Sequence, residues 1–117
     1  MATSARRTRI ARRRVARVRA SGSDLTATEW GAILGAWKAR CAYCHADGVA
    51  LQKDCVLAIS RGGRYTVDNV VPACRSCNAS KCNEEVVSWL RRRRLDESGF
   101  MLRWALISRA LRDPDLV

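Results

Sequence analysis

Trp30, Ile33, Leu34 and Trp37 recur at i, i+3, i+4 and i+7, the spacing that lays one apolar stripe along a helix. Thr26 with Glu29 forms a T-x-x-E capping box at its start, after a Ser21-Gly22-Ser23 break. The helix delivers the chain to Cys41, and its tryptophans are read as packing residues, not as base-stacking platforms. Downstream the period changes. Val49 to Lys53 and Val56 to Ile59 interleave Val, Leu and Ile with polar residues and predict two short strands. Arg61-Gly62-Gly63-Arg64 predicts a loop, and Val70-Val71-Pro72 a further brief strand. Ala73 to Lys81 opens a short helix on which Cys74, Cys77, Asn78 and Lys81 occupy neighbouring faces. Glu84 to Leu95 is helical by pattern, with Val86, Val87, Trp89 and Leu90 apolar and Arg91 to Arg94 at its end, where cations oppose the helix dipole. Phe100, Trp104, Ile107 and Leu111 then mark a final amphipathic helix stopped at Asp113-Pro114.

The cysteines turn this list of elements into an architecture. Cys41 and Cys44 form one C-x2-C knuckle, and Cys74 with Cys77 forms a second. Two such pairs supply the four thiolates of a closed tetrahedral Zn²⁺ shell, which holds a fold and leaves no open position for substrate. With 117 residues and only 6% aromatics the core is modest. A structural zinc, worth roughly 10–16 kcal/mol of coupled folding energy, is a reasonable staple. On this reading the strands and the second knuckle are tied only through the ion. The alternative, three disulfides of a secreted scaffold, fits the paired spacing poorly and lacks a secretory signal. No apolar run approaches a membrane span, so no membrane and a cytoplasmic setting are expected.

Charge divides the chain further. Of the net +11, +8 comes from residues 1 to 20, which hold eight arginines and no acid, among them Arg12, Arg13 and Arg14. The organisation expected is a basic tail over 1–22 and one domain over 23–117. An arginine-rich segment that cannot bury much finds its natural counter-surface in a phosphate backbone, although a solubility tail or one bound to RNA or acidic lipid has the same composition. DNA is the expected partner. Arg91 to Arg94 either extend that surface or form a solvated helix end.

Cys41-Ala-Tyr-Cys44, Asp54-Cys55-Val56, Ser60-Arg-Gly-Gly63 and Asp68-Asn69-Val-Val-Pro-Ala-Cys74-Arg-Ser-Cys77-Asn78-Ala-Ser-Lys81 stand in this order in the chain. Together they resemble the zinc-containing HNH endonucleases common in bacteria and their phages, over roughly residues 26 to 95. The resemblance implies an α+β fold, a small zinc-stapled ββα-metal core flanked by N- and C-terminal helices. It also implies metal-dependent hydrolysis of DNA phosphodiester bonds around a single Mg²⁺ or Mn²⁺. Asp54 and Asn78 correspond to that ion's ligands, and Asn69 to the residue that orients the loop and the base. Arg61, Arg64 and Lys81, with the tail arginines, are the expected nucleic-acid contacts.

One position departs from the pattern. Where the family places its general-base histidine this chain has Cys55. A thiol, with a pKa near 8.5, is close enough to accept a proton in principle, but it is larger, softer and differently shaped from imidazole, and losing a general base typically costs about 10²–10⁴ in rate. His45, the chain's one histidine, follows Cys44 in a knuckle turn and is read as an exposed turn residue. Cys82 stands where a glycine often follows the Lys. Cys55 and Cys82 are read as small apolar residues, with a disulfide or a captured soft metal as alternatives. Three functions therefore remain open: a metal-dependent HNH endonuclease, active or impaired by Cys55, a non-catalytic zinc-stabilised DNA-binding domain on the same fold, and a zinc ribbon serving as a structural or protein-interaction element. The trio Asp54, Asn69 and Asn78 favours the first over the third.

Overall fold

A computed structural model of the chain describes residues 25–113. The arginine tail and Pro114 lie outside the described residues. Helix α1, Ala27–Ala36, begins at the expected box, with the Thr26 amide donating to Glu29 Oε1 at 3.0 Å and the Glu29 amide to Thr26 Oγ1 at 3.1 Å. Its stripe faces inward through Ile33, followed just past the helix end by Trp37, while Trp30 and Leu34 stay half-buried. The helix closes on a Schellman turn. The Ala39 amide reaches Leu34 O at 2.8 Å and the Lys38 amide reaches Gly35 O at 3.1 Å. This turn puts Lys38 and Ala39 at positive φ, and it separates the helix from Cys41.

Strand β1, Leu51–Cys55, pairs antiparallel with β2, Val70–Cys74, from Leu51 opposite Cys74 to Cys55 opposite Val70. Helices α2 (Arg75–Lys81), α3 (Val86–Arg92) and α4 (Glu97–Arg112) follow, so the fold is a small α+β unit with a ββα centre, as expected. The final helix starts at Glu97 because Asp96 caps it by accepting from the Gly99 amide at 3.1 Å.

The expected strand over Val56 to Ile59 is replaced by a loop containing a 3₁₀ turn, Ile59–Arg61. The cause is the Asn69 side chain. It takes Leu57 N–H on Oδ1 at 2.8 Å and gives Nδ2 to Leu57 O at 2.9 Å, occupying both backbone groups a ladder would use. The same Nδ2 reaches Arg64 O at 2.8 Å and holds the two sides of the loop together. Both glycines are required here: Gly62 ends the 3₁₀ turn at φ 93°, and a Cβ on Gly63 would lie 1.8 Å from Leu57 O.

The core is aromatic where α4 crosses the first knuckle. Tyr43 meets Trp89 edge-on and Phe100 at a tilt, both at 5.0 Å between centroids, and Phe100 also stacks with Trp37 and Trp104. The Ala42 amide donates to Pro72 O at 2.8 Å. The first knuckle is thus joined to β2 by backbone and to α3 and α4 by ring packing. β1 also pairs with β2, which runs straight into α2 and Cys77, and this corrects the expectation that the strands and the second knuckle are tied only through an ion. Trp104 Nε1 and Ser108 Oγ both donate to Asp68 O, fastening α4 to the residue before Asn69.

Candidate functional site

The two knuckles converge. Cys41 and Cys44 lie in the turn after α1, closed by the His45 amide on Cys41 O at 2.9 Å, while Cys74 ends β2 and caps α2 by accepting from the Cys77 amide at 3.4 Å. All four sulfurs lie within 4.8 Å of one another. Cys44 and Cys74 sulfurs are 3.7 Å apart, against about 3.8 Å for the edge of a tetrahedron built on Zn–S bonds of about 2.3 Å. The set can hold a metal ion such as Zn²⁺. Burial pushes the Cys77 and Cys44 thiols up. At Cys74 burial acts the same way, but the Cys77 amide and neighbouring thiols outweigh it and bring the thiol down. Among the described residues this is the one cluster of three or more His, Cys, Asp or Glu placed to share an ion.

At the opposite end of the ladder, Asp54 is 5% exposed. Its Oδ2 accepts from Tyr43 Oη at 2.5 Å and lies 3.2 Å from Lys81 Nζ. The lysine side chain is fully buried, and it also donates to Cys55 O at 2.9 Å. Burial first, then the Asp54 charge, raises the Tyr43 phenol well above its ordinary value, so it remains a neutral donor. Asn78, one turn before Lys81 on α2, gives Nδ2 to Gln52 Oε1 at 2.7 Å. Since Gln52 and Asp54 share a face of β1, α2 lies across that face, with Asn78 over Gln52 and Lys81 over Asp54.

Residues 41–84 match the HNH endonuclease family. Comparison with curated proteins and with solved structures gives no match. The matched HNH segment runs from the first knuckle through α2 and contains every thiol of the metal cluster together with Asp54, Cys55, Asn69 and Asn78.

Within that segment the candidate residues separate by role. Asn69 is 9% exposed and spends its amide on the loop backbone. Cys55 is buried at the end of β1. Lys81, expected as a phosphate contact, has its ammonium inside, held by Asp54 and Cys55 O. Arg61 and Arg64 are exposed, with Arg61 Nε donating to Asn83 O at 2.9 Å. Arg12, Arg13 and Arg14 fall outside the described residues. In the C-terminal arginine run, Arg91 chelates Glu97 and Arg92 pairs with Glu84, while Arg93 and Arg94 stay exposed. His45 is exposed, at φ 66°, with Nε2 3.2 Å from Arg103 Nη2. Cys82 is exposed and occupies the α2 C-cap at φ 48°, a conformation that explains why glycine suits the position.

Sequence reasoning missed Tyr43 and Gln52. Tyr43 is a spacer inside C-x2-C by spacing alone. Its one sequence signal is a large aromatic where a turn usually carries small residues.

Proposed function

We propose that this chain is an HNH-type, metal-dependent DNA endonuclease whose hydrolytic rate is reduced by Cys55 at the general-base position, on a core stapled by Zn²⁺ at Cys41, Cys44, Cys74 and Cys77. The observation that carries the reading is the order Asp54-Cys55, Asn69, Asn78 on a ββα unit whose family match is nuclease. In the proposed reaction a water oxygen bonds to phosphorus as the P–O3′ bond breaks, and the water's proton passes to the base. Asp54 and Asn78 offer one carboxylate and one amide oxygen, hard donors of the type Mg²⁺ or Mn²⁺ takes alongside waters and a substrate phosphate. Such an ion, held there, supplies charge neutralisation at the leaving oxygen. Asn69 keeps the loop after Cys55 closed, and Tyr43 and Lys81 fix the Asp54 carboxylate. Arg61, Arg64 and the tail arginines contribute phosphate contacts.

A second reading has its own support. Asp54 Oδ2 already meets a neutral phenol and a buried ammonium. With the imidazole gone as well, a DNA-binding domain that no longer cleaves is the alternative. Nicking of supercoiled plasmid separates the two, comparing the parent with Cys55→His in matched Mg²⁺ or Mn²⁺ under reducing conditions. The endonuclease reading expects the histidine variant to be faster by roughly 10²-fold or more. A variant as inert as its parent, while binding DNA and metal normally, leaves the DNA-binding domain standing.

A further inference from the structure

Leu51 and Lys53 project from one face of β1 and Gln52 from the other, yet all three line one depression of about 440 Å³ together with Trp30, Tyr65 and Asn78. The depression therefore straddles the edge of β1 that β2 leaves uncovered. Its volume lies in the range of small-molecule sites. Two aromatic side chains reach it from separate elements, Trp30 from α1 and Tyr65 from the loop that Asn69 closes, and both are half-buried. Lys53 Nζ lies 5.7 Å from the centroid of the Trp30 ring, a cation–π contact that fixes the ring and sets positive charge at the depression. Gln52 and Asn78 form an amide pair on its wall, and in that pair Asn78 Nδ2 is the donor. Gln52 keeps its own NH₂ for a ligand, while the Asn78 carbonyl is the oxygen assigned above to the proposed metal.

Flat rings, one cation and paired amide groups suit a planar heterocycle that carries hydrogen-bonding edges and an attached phosphate. We infer that this depression is a nucleobase site, in which a base of a single-stranded or unpaired nucleotide stacks against Trp30 and Tyr65, with its edge on the Gln52 NH₂ beside Asn78 and its phosphate towards Lys53. The inference rests on the nucleic-acid reading above and deepens it. Asn78 belongs both to this wall and to the proposed catalytic pair, so a base held here sets the register of its strand beside Asp54. It also revises the role of Trp30, which is only partly used in packing.

The test needs no cleavage. Fluorescence anisotropy in magnesium-free buffer, with the structural metal retained, compares a single-stranded oligonucleotide with an abasic phosphodiester chain of equal length and charge. Stacking of one base is worth about 5- to 100-fold in affinity, so the parent should prefer the base-bearing strand by that factor. Trp30→Ala and Tyr65→Ala should each reduce the preference several-fold while leaving affinity for the abasic chain unchanged. Trp30→Phe, which keeps a ring, should retain most of it and guards against a folding defect at α1. A parent that binds both strands equally overturns the base site while leaving the nucleic-acid reading intact, as does a preference untouched by both alanine variants. A parent that binds neither strand nor a duplex overturns both.

Discussion

At one end of the β1–β2 ladder Cys74 faces Leu51 and joins three other thiols, and at the other Cys55 faces Val70 beside an Asp54 that meets Tyr43 and Lys81. The first end gathers like groups. Four thiols within 4.8 Å repel one another once ionised, so the arrangement is stable as a thiolate set only with a cation among them. The second end carries its own counter-cation, since the Lys81 ammonium sits 3.2 Å from the carboxylate it neutralises. One half of the HNH segment thus gathers four thiols placed to hold a cation, and the other neutralises its buried carboxylate from within.

Removing the metal is the strongest way to break this contrast. Chelation, or Cys77→Ala, should abolish cooperative melting, because coupled folding energy at a structural zinc is of order 10–16 kcal/mol and few small domains have that margin. The Ala42–Pro72 bond and the Tyr43, Trp89 and Phe100 packing should leave residual helix by circular dichroism. A verified metal-free sample that melts cooperatively near the parent's Tm would sink the zinc assignment.

The other end is probed through charge, with the metal left in place. Lys81→Met leaves Asp54 buried beside a neutral side chain, and breaking a buried pair from one side costs about 3–5 kcal/mol. Adding Asp54→Asn should recover much of that loss, because the uncompensated charge is gone. Urea denaturation of the two single variants and the double variant measures the coupling, and strictly additive losses would mean that the pair does not act as a unit.

How much of each end was legible follows from the range of the interactions. The α1 capping box and the two knuckles are local, with partners three residues apart, and spacing alone gave them. The helix order followed from the same local periods, whereas the ββα centre was implied by the family resemblance. The end of β1 was misread because Asn69, twelve residues from Leu57, intercepts the backbone groups that Val56 to Ile59 would have used in a strand. The burial of Lys81 went unforeseen for a related reason. A lysine at a helix end is ordinarily solvated, and nothing near it in sequence announces an Asp54 buried beneath α2. The Cys55 substitution was visible at once, whereas Tyr43 as the second partner of Asp54 needed the fold.

The smallest effect sharpens the contrast from outside both ends. Glu85 caps α3, the helix that carries Trp89 against Tyr43, by accepting from the Ser88 amide at 2.7 Å. That bond to the Ser88 backbone is the main reason its carboxyl is held below the ordinary value of 4.5. A depressed folded-state pKa means that the ionised form stabilises the fold. The contribution is complete above the unfolded value and is lost as pH falls through the folded one. Glu85→Ala should therefore cost about 0.5–2 kcal/mol at neutral pH, nearer the lower figure for so exposed a side chain. The difference between parent and variant should shrink as pH drops below about 4.5. Paired urea titrations from neutral pH down through the carboxylate range measure it, and a difference that stays constant with pH would show that the cap stabilises through packing and not through charge.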